Sequence, residues 1–153
     1  LIKGDKVKVY FPIKTGLFRR TTDYVRAVDE ISFSLKQGQN LAIVGESGSG
    51  KTTLAKAIMR QLSLFDGHVS MDNQPITDYA RKAYASKVQI VFQNVTSSFN
   101  PRMRISQTLL EGLQALNPSQ ANTTYLSELL QEVELDPELM HRYPHELSGG
   151  QLQ

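Results

Sequence analysis

Eight residues constrain this chain more than anything else in it. Gly45-Glu46-Ser47-Gly48-Ser49-Gly50-Lys51-Thr52 fits the pattern G-x-x-x-x-G-K-[ST] in full. The continuous apolar run Leu41-Ala42-Ile43-Val44 precedes it, and Leu54, Ala55, Ile58 and Leu62 follow at helical spacing. A strand, a glycine-rich turn and a helix in that order define a phosphate-cradling loop. Gly45, Gly48 and Gly50 permit backbone conformations and close approaches that a side chain would block. Successive N–H groups then converge on phosphate oxygens at a helix N-terminus. Lys51 is the candidate to reach the β- and γ-phosphates, Thr52 to ligate Mg²⁺, and Thr53 to donate near the α-phosphate. The loop predicts ATP and Mg²⁺ as ligands. On its own it does not separate kinases, GTPases, helicases and transporters.

The rest of the chain frames that loop. Its 153 residues suffice for a core, and 40% hydrophobic with 21% charged residues is an ordinary globular mixture. There is no cysteine, which excludes a disulfide framework and a thiolate metal site. A net charge of +2, with the basic residues scattered, argues against a nucleic-acid partner. No apolar run approaches the roughly 20 residues that span a bilayer. His68, His141 and His145 lack a second ligand at metal-like spacing, so no histidine metal site is expected. The beginning at Leu1 and the end at Gln153 lead us to expect a fragment of a longer protein.

Val7, Val9 and Phe11 predict a strand, as do Ile31, Phe33 and Leu35, the run Leu41–Val44, the stretch Gly67–Met71 as an edge strand, and Val88–Phe92. Pro12 to Asp23, with Gly16 and the basic Lys14, Arg19 and Arg20, predicts an exposed loop. After Gln93 the character changes. Ile105, Leu109, Leu113 and Leu116 mark one helix face and Leu126, Leu129, Leu130 and Val133 another, with a short helical turn at Pro137. We therefore expect residues 1–93 to form an ATP-binding core with a β-subdomain and residues 94–153 a helical subdomain.

At the end of the helical part stands Leu147-Ser148-Gly149-Gly150-Gln151. Together with the phosphate loop, this stretch resembles the signature of ABC-transporter ATPases. Further stretches resemble the peptide-importer subgroup (dipeptide, oligopeptide and microcin type): Tyr10–Gly16, Arg26-Ala27-Val28-Asp29, Ser97–Arg102 and Arg142–Leu147. The resemblance implies an α/β fold: a P-loop core, an N-terminal antiparallel β-subdomain and an inserted helical subdomain. It implies that Ser148, Gly149, Gly150 and Gln151 contact the ATP of a facing ATPase domain. It implies that Phe11, with Tyr10 as rival and a plain strand-end aromatic as the bland alternative, stacks on adenine. Gln93 matches the glutamine that contacts Mg²⁺ or the attacking water.

Two positions depart from the family pattern: Leu152 replaces a basic residue after the signature, and Asn94 replaces an acidic residue after Gln93. The implied partners are membrane permease subunits, a second ATPase domain and, indirectly, a solute-binding protein. The implied location is the cytoplasmic face of the plasma membrane. The function expected is ATP hydrolysis coupled to peptide uptake, with Lys51 and Gln93 as its catalytic residues here. The Walker B aspartate, catalytic glutamate and switch histidine of the family do not occur in these residues, so the chain alone is expected to hydrolyse ATP negligibly. The alternatives are a non-hydrolysing ATP-binding partner of an asymmetric pair, or a soluble ABC ATPase outside transport.

Overall fold

A computed structural model describes residues 1–15 and 20–153. The chain divides into two compact units, Leu1–Val88 and Gln89–Gln153.

The first unit is built on an antiparallel sheet of order β2-β1-β3-β4, comprising β1 (Ile2–Thr15), β2 (Arg20–Leu35), β3 (Asp66–Met71) and β4 (Gln74–Pro75). Alternation explains its inner face. Val7 and Val9 of β1, Val28 of β2, and Val69 and Met71 of β3 are buried together. Helix α1 (Lys51–Ile58) lays Leu54 and Ala57 on them, three positions apart and hence on one helical face. Ile76 and Tyr84, the latter on α2 (Arg81–Lys87), complete this core. The Tyr84 hydroxyl donates to the Ile58 carbonyl at 2.7 Å, so its polar end is satisfied. Each buried Val, Leu, Ile or Met of this core stabilises the unit by about 1.5–3 kcal/mol relative to exposure.

The expected loop at Pro12–Asp23 is instead a two-stranded ribbon. The ladder runs from Phe11↔Val25 through Pro12↔Tyr24 and Ile13↔Asp23 to Thr15↔Arg20. Pro12 is tolerated because the β3 pairing ends at Lys8↔Asp66, leaving β1 an open edge on that side. Gly16 and Arg19 of that expectation lie outside the described residues. Nor is β3 an edge strand, since β1 and the short β4 flank it.

A second correction concerns Leu41–Val44 and Val88–Phe92, neither of which is a strand here. Leu41, Ile43 and Val44 are 47%, 43% and 86% exposed, and Val91 and Phe92 are 76% and 47% exposed. Apolar runs of this kind become strands by pairing with parallel neighbours on both sides. Among the described residues no strand pairs with either run, so each remains unladdered chain.

The second unit is helical. Helix α3 (Ile105–Leu116) begins where Gln107 Oε1 accepts from the Arg104 N–H at 2.8 Å. Helix α4 (Thr123–Glu132) begins at Asn122, whose side chain accepts from the Tyr125 N–H. Leu126, Leu130 and Met140 are buried between them, with Leu109, Leu110 and Leu135 packed around. A turn of 3₁₀ helix at Pro137–His141, capped by Asp136, carries Met140 into that core. The short helix α5 (Gly149–Leu152) ends the chain.

Candidate functional site

The phosphate-loop residues surround the start of α1. Gly50 is the residue before the helix and has left-handed backbone, φ 90° and ψ 3°. Its carbonyl accepts the first helical bond from Leu54 N–H at 2.8 Å. A β-carbon at Gly50 would lie 2.0 Å from the Ala27 carbonyl oxygen, a backbone atom that cannot move aside. Gly48, at φ 84°, faces open space, so its requirement is conformational alone. A β-carbon on Gly45 would lie 2.6 Å from Ser49 Oγ. Ser49 N–H closes a turn onto the Glu46 carbonyl at 3.2 Å. Glu46 and Ser47, with the rest of the loop up to Ser49, are exposed. The glycines thus let the backbone bend where β-carbons would clash or strain it, ahead of the free N–H groups of the first helical turn. That arrangement fits a phosphate chain.

Lys51 crosses the loop. Its ammonium donates to the carbonyls of Gly45 at 2.9 Å and Glu46 at 2.6 Å. An ammonium has three protons. One therefore remains for a phosphate oxygen while the other two hold the loop closed. Thr52 is exposed on the first turn of α1. Thr53, the next residue, is half-buried. Beneath the loop a cavity of about 180 Å³ is lined by Val28, Ile31, Ile43, Ser49 and Leu54.

The two aromatic candidates part company by strand alternation. Phe11 is on the face of β1 that carries Val7 and Val9, paired with Val25 and 40% exposed. This is the face against which the loop packs, since a Gly50 β-carbon would also touch Val28 at 3.4 Å. Tyr10 is on the opposite face. Its ring stacks on Phe65 at 4.4 Å between centroids and its hydroxyl donates to Asp29 Oδ1. That bond raises the Tyr10 hydroxyl above its ordinary pKa, with burial adding to the effect. Tyr10 is already engaged in the fold, whereas Phe11 is 40% exposed.

Gln93 and the glycine-rich signature belong to the second unit. Gln93 is exposed at a bend just ahead of the 3₁₀ turn Thr96–Ser98. The neighbouring Asn94 organises that turn: its side chain accepts from the Thr96 hydroxyl at 2.6 Å and its carbonyl from the Ser97 hydroxyl at 2.8 Å. An amide side chain holds this turn without adding a charge.

Ser148 caps α5. Its Oγ accepts from the Gln151 N–H at 3.3 Å, while the Gln151 side chain accepts from the Ser148 N–H at 3.0 Å. Gly149 and Gly150 are exposed, and nothing lies within 4 Å of where their β-carbons would be. Leu152, which replaces the family's basic residue, is 8% exposed. It lines an apolar cavity of about 250 Å³ with Phe99, Ile105, Leu135 and Leu147. Just before the signature, the Glu146 carboxylate accepts from the Tyr143 N–H at 2.7 Å, which holds it below the ordinary carboxylate range.

Sequence reasoning missed one participant, the Ala27 carbonyl under Gly50. Its only trace in the sequence is that Arg26-Ala27-Val28-Asp29 stood out as a motif without a role.

No helix among the described residues is long and apolar enough to cross a membrane. Comparison with known proteins gives a consistent picture. The chain is 43% identical, over its whole length, to the peptidoglycan transport ATP-binding protein YejF of Agrobacterium fabrum, of which it covers 29%. It is 40% identical over 96% of its length to the oligopeptide transport ATP-binding protein AppF of Bacillus subtilis, of which it covers 46%. The chain therefore spans less than half of these relatives. Among solved structures, it superposes on the ATP-binding cassette MJ0796 bound to ADP and Pi with a TM-score of 0.73 at 23% identity, covering 99% of this chain and 65% of that one. This establishes the cassette fold, with an antiparallel sheet and helices as expected. The family model described as ABC transporter matches residues 28–153, and the chain belongs to that family.

Proposed function

We propose that this chain is the nucleotide-binding portion of an ABC-transporter ATPase subunit, and that the full-length protein couples ATP hydrolysis to uptake of peptides or related solutes. The observation that carries the reading is the loop itself: Gly50 in left-handed backbone over the Ala27 carbonyl, with the Lys51 ammonium retaining a free donor. The names of the relatives, which concern peptidoglycan, oligopeptide and glutathione transport, favour the solute class.

In this reading Gly45–Thr53 bind the triphosphate through backbone N–H groups, Lys51 and the hydroxyls of Thr52 and Thr53. Phe11, with Val25 beside it, offers the adenine an apolar face, and such a stack is sequence-tolerant. Thr52 and Gln93 would hold Mg²⁺, which when bound neutralises charge developing on the phosphate oxygens. Ser148, Gly149, Gly150 and Gln151 are assigned to the ATP of a facing ATPase domain. Residues 1–93 would serve as the ATP-binding core and 94–153 as the helical subdomain. Permease subunits, and through them a solute-binding protein, would hold the assembly at the cytoplasmic face of the membrane. The 153 residues alone are expected to bind nucleotide with negligible turnover.

The test is a calorimetric titration of the full-length protein with Mg·ATP. Lys51→Ala should weaken binding at least tenfold, the scale of one charge-assisted phosphate contact. Equal affinity of wild type and Lys51→Ala for Mg·ATP would overturn the assignment.

A further inference from the structure

A surface triad on the sheet face opposite Phe11 has no role in the reading above. The Tyr10 hydroxyl donates to one carboxylate oxygen of Asp29, and the other oxygen faces the Arg26 guanidinium at 3.7 Å. Arg26 in turn lies over the Tyr10 ring, 5.7 Å from its centroid. Phe65 stacks on the same ring and is fixed by its own N–H, which donates to the Lys8 carbonyl at 2.8 Å.

These contacts surround an irregularity in β2. The register passes from Val9↔Val28 to Tyr10↔Arg26, so one step along β1 matches two steps along β2, and Ala27 is the extra residue. A bulge of this kind bends its strand and re-aims the backbone groups beside it. Arg26 and Asp29 are three positions apart and flank the bulge, closing over it as an ion pair. The group re-aimed is the Ala27 carbonyl, and it is the atom against which Gly50 packs.

We propose that Tyr10, Arg26 and Asp29 are positioning residues for the phosphate loop. They hold the bulge in one geometry, so that the Ala27 carbonyl supports Gly50 and fixes where the first N–H groups of α1 point. The triad touches no ligand and acts from the far side of the sheet. The inference rests on the nucleotide-binding assignment of the loop.

The variants that test it leave the ring contacts in place. Tyr10→Phe keeps the stack on Phe65 and loses the hydroxyl. Asp29→Ala removes both bonds across the bulge, and Asp29→Asn restores the acceptor for Tyr10. Each is titrated in the full-length protein with Mg·ATP and with magnesium tripolyphosphate, well below its melting temperature. The expected result is that Tyr10→Phe and Asp29→Ala weaken both ligands about three- to tenfold and by the same factor. Asp29→Asn should recover most of what Asp29→Ala loses. A merely structural role would lower the melting temperature and leave the affinity of the folded protein unchanged, and that outcome overturns the proposal. A loss confined to ATP also overturns it, because it would place the effect at the base rather than at the loop. If wild type binds neither ligand, the nucleotide assignment itself fails, and the inference fails with it.

Discussion

The two glycine-rich turns of this chain look alike on paper and differ physically. In the phosphate loop the glycines answer to their surroundings inside the fold. Gly48 and Gly50 have positive φ, and Gly50 is pressed on a backbone carbonyl. In the signature turn, Gly149 and Gly150 are part of α5, and their missing β-carbons leave open space on the surface. The first pair is required for the chain to adopt its own conformation. The second pair meets nothing within the described residues that would require glycine. A glycine-rich motif is therefore two different signals, and only the local backbone tells them apart.

Substitution by alanine turns this contrast into a graded series. The largest effect is expected at Gly50→Ala. Left-handed strain and overlap with the Ala27 carbonyl together should destabilise the first unit by about 3 kcal/mol or more and abolish nucleotide binding. Chemical denaturation followed by calorimetric titration reads both. Gly48→Ala carries the conformational penalty without the overlap, so about 1–2 kcal/mol is expected from the same denaturation experiment. If Gly48→Ala matched Gly50→Ala, the carbonyl contact would be irrelevant and the comparison would break.

On the other side of the contrast, Ser148→Ala removes a helix cap and should destabilise the second unit by about 1 kcal/mol. Gly149→Ala should do the reverse, stabilising α5 by about 0.5 kcal/mol, because alanine is the better helix former. The same Gly149→Ala should lower ATP turnover of the assembled transporter if a facing ATP needs that surface. A rise in thermal stability with unchanged turnover would show that the signature glycines serve nothing outside.

The smallest effect is a pH dependence next to that turn. The Tyr143 N–H holds Glu146 below its ordinary pKa, so the favourable contact is fully present above the ordinary carboxylate value. It is lost as the pH falls through the depressed folded value. Melting temperature measured from neutral to acidic pH should therefore fall less for Glu146→Gln than for wild type.

The sequence made the loop, the helices α3 and α4 and the buried Val7 and Val9 of β1 legible, because each rests on a local rule, whereas in β2 the buried residue is Val28 and the expected Ile31 is 43% exposed. Ile105, Leu109, Leu126 and Leu130 fall where a 3.6-residue period puts them, and all pack in the second unit. What was not legible depends on partners. Leu41–Val44 has the composition of a buried strand, but a strand exists only where something pairs with it. Pro12 suggested a loop, yet it sits in a ribbon whose outer edge asks for no N–H at that position. Leu152 could be seen only as a departure from a family pattern until the apolar cavity behind it gave it a function in packing. The bulge at Ala27 was invisible for the same reason, since an extra residue is defined only against the strand opposite. Within the candidate site, then, the loop residues were visible as a motif, and the backbone they pack on was not.

Adjacent aromatic residues on a strand lead separate lives, and the ribbon makes that a vulnerability as well as a convenience. Tyr10 can vary with its carboxylate and cation while Phe11 varies with Val25 across from it, and neither change disturbs the other. The separation survives only while the phase of the strand is kept. Deleting Tyr10 would put Phe11 in its place, toward Asp29 and Phe65, and bring Pro12 to the phosphate-loop face. The ribbon should therefore tolerate many substitutions and hardly any change in the length of its paired strands.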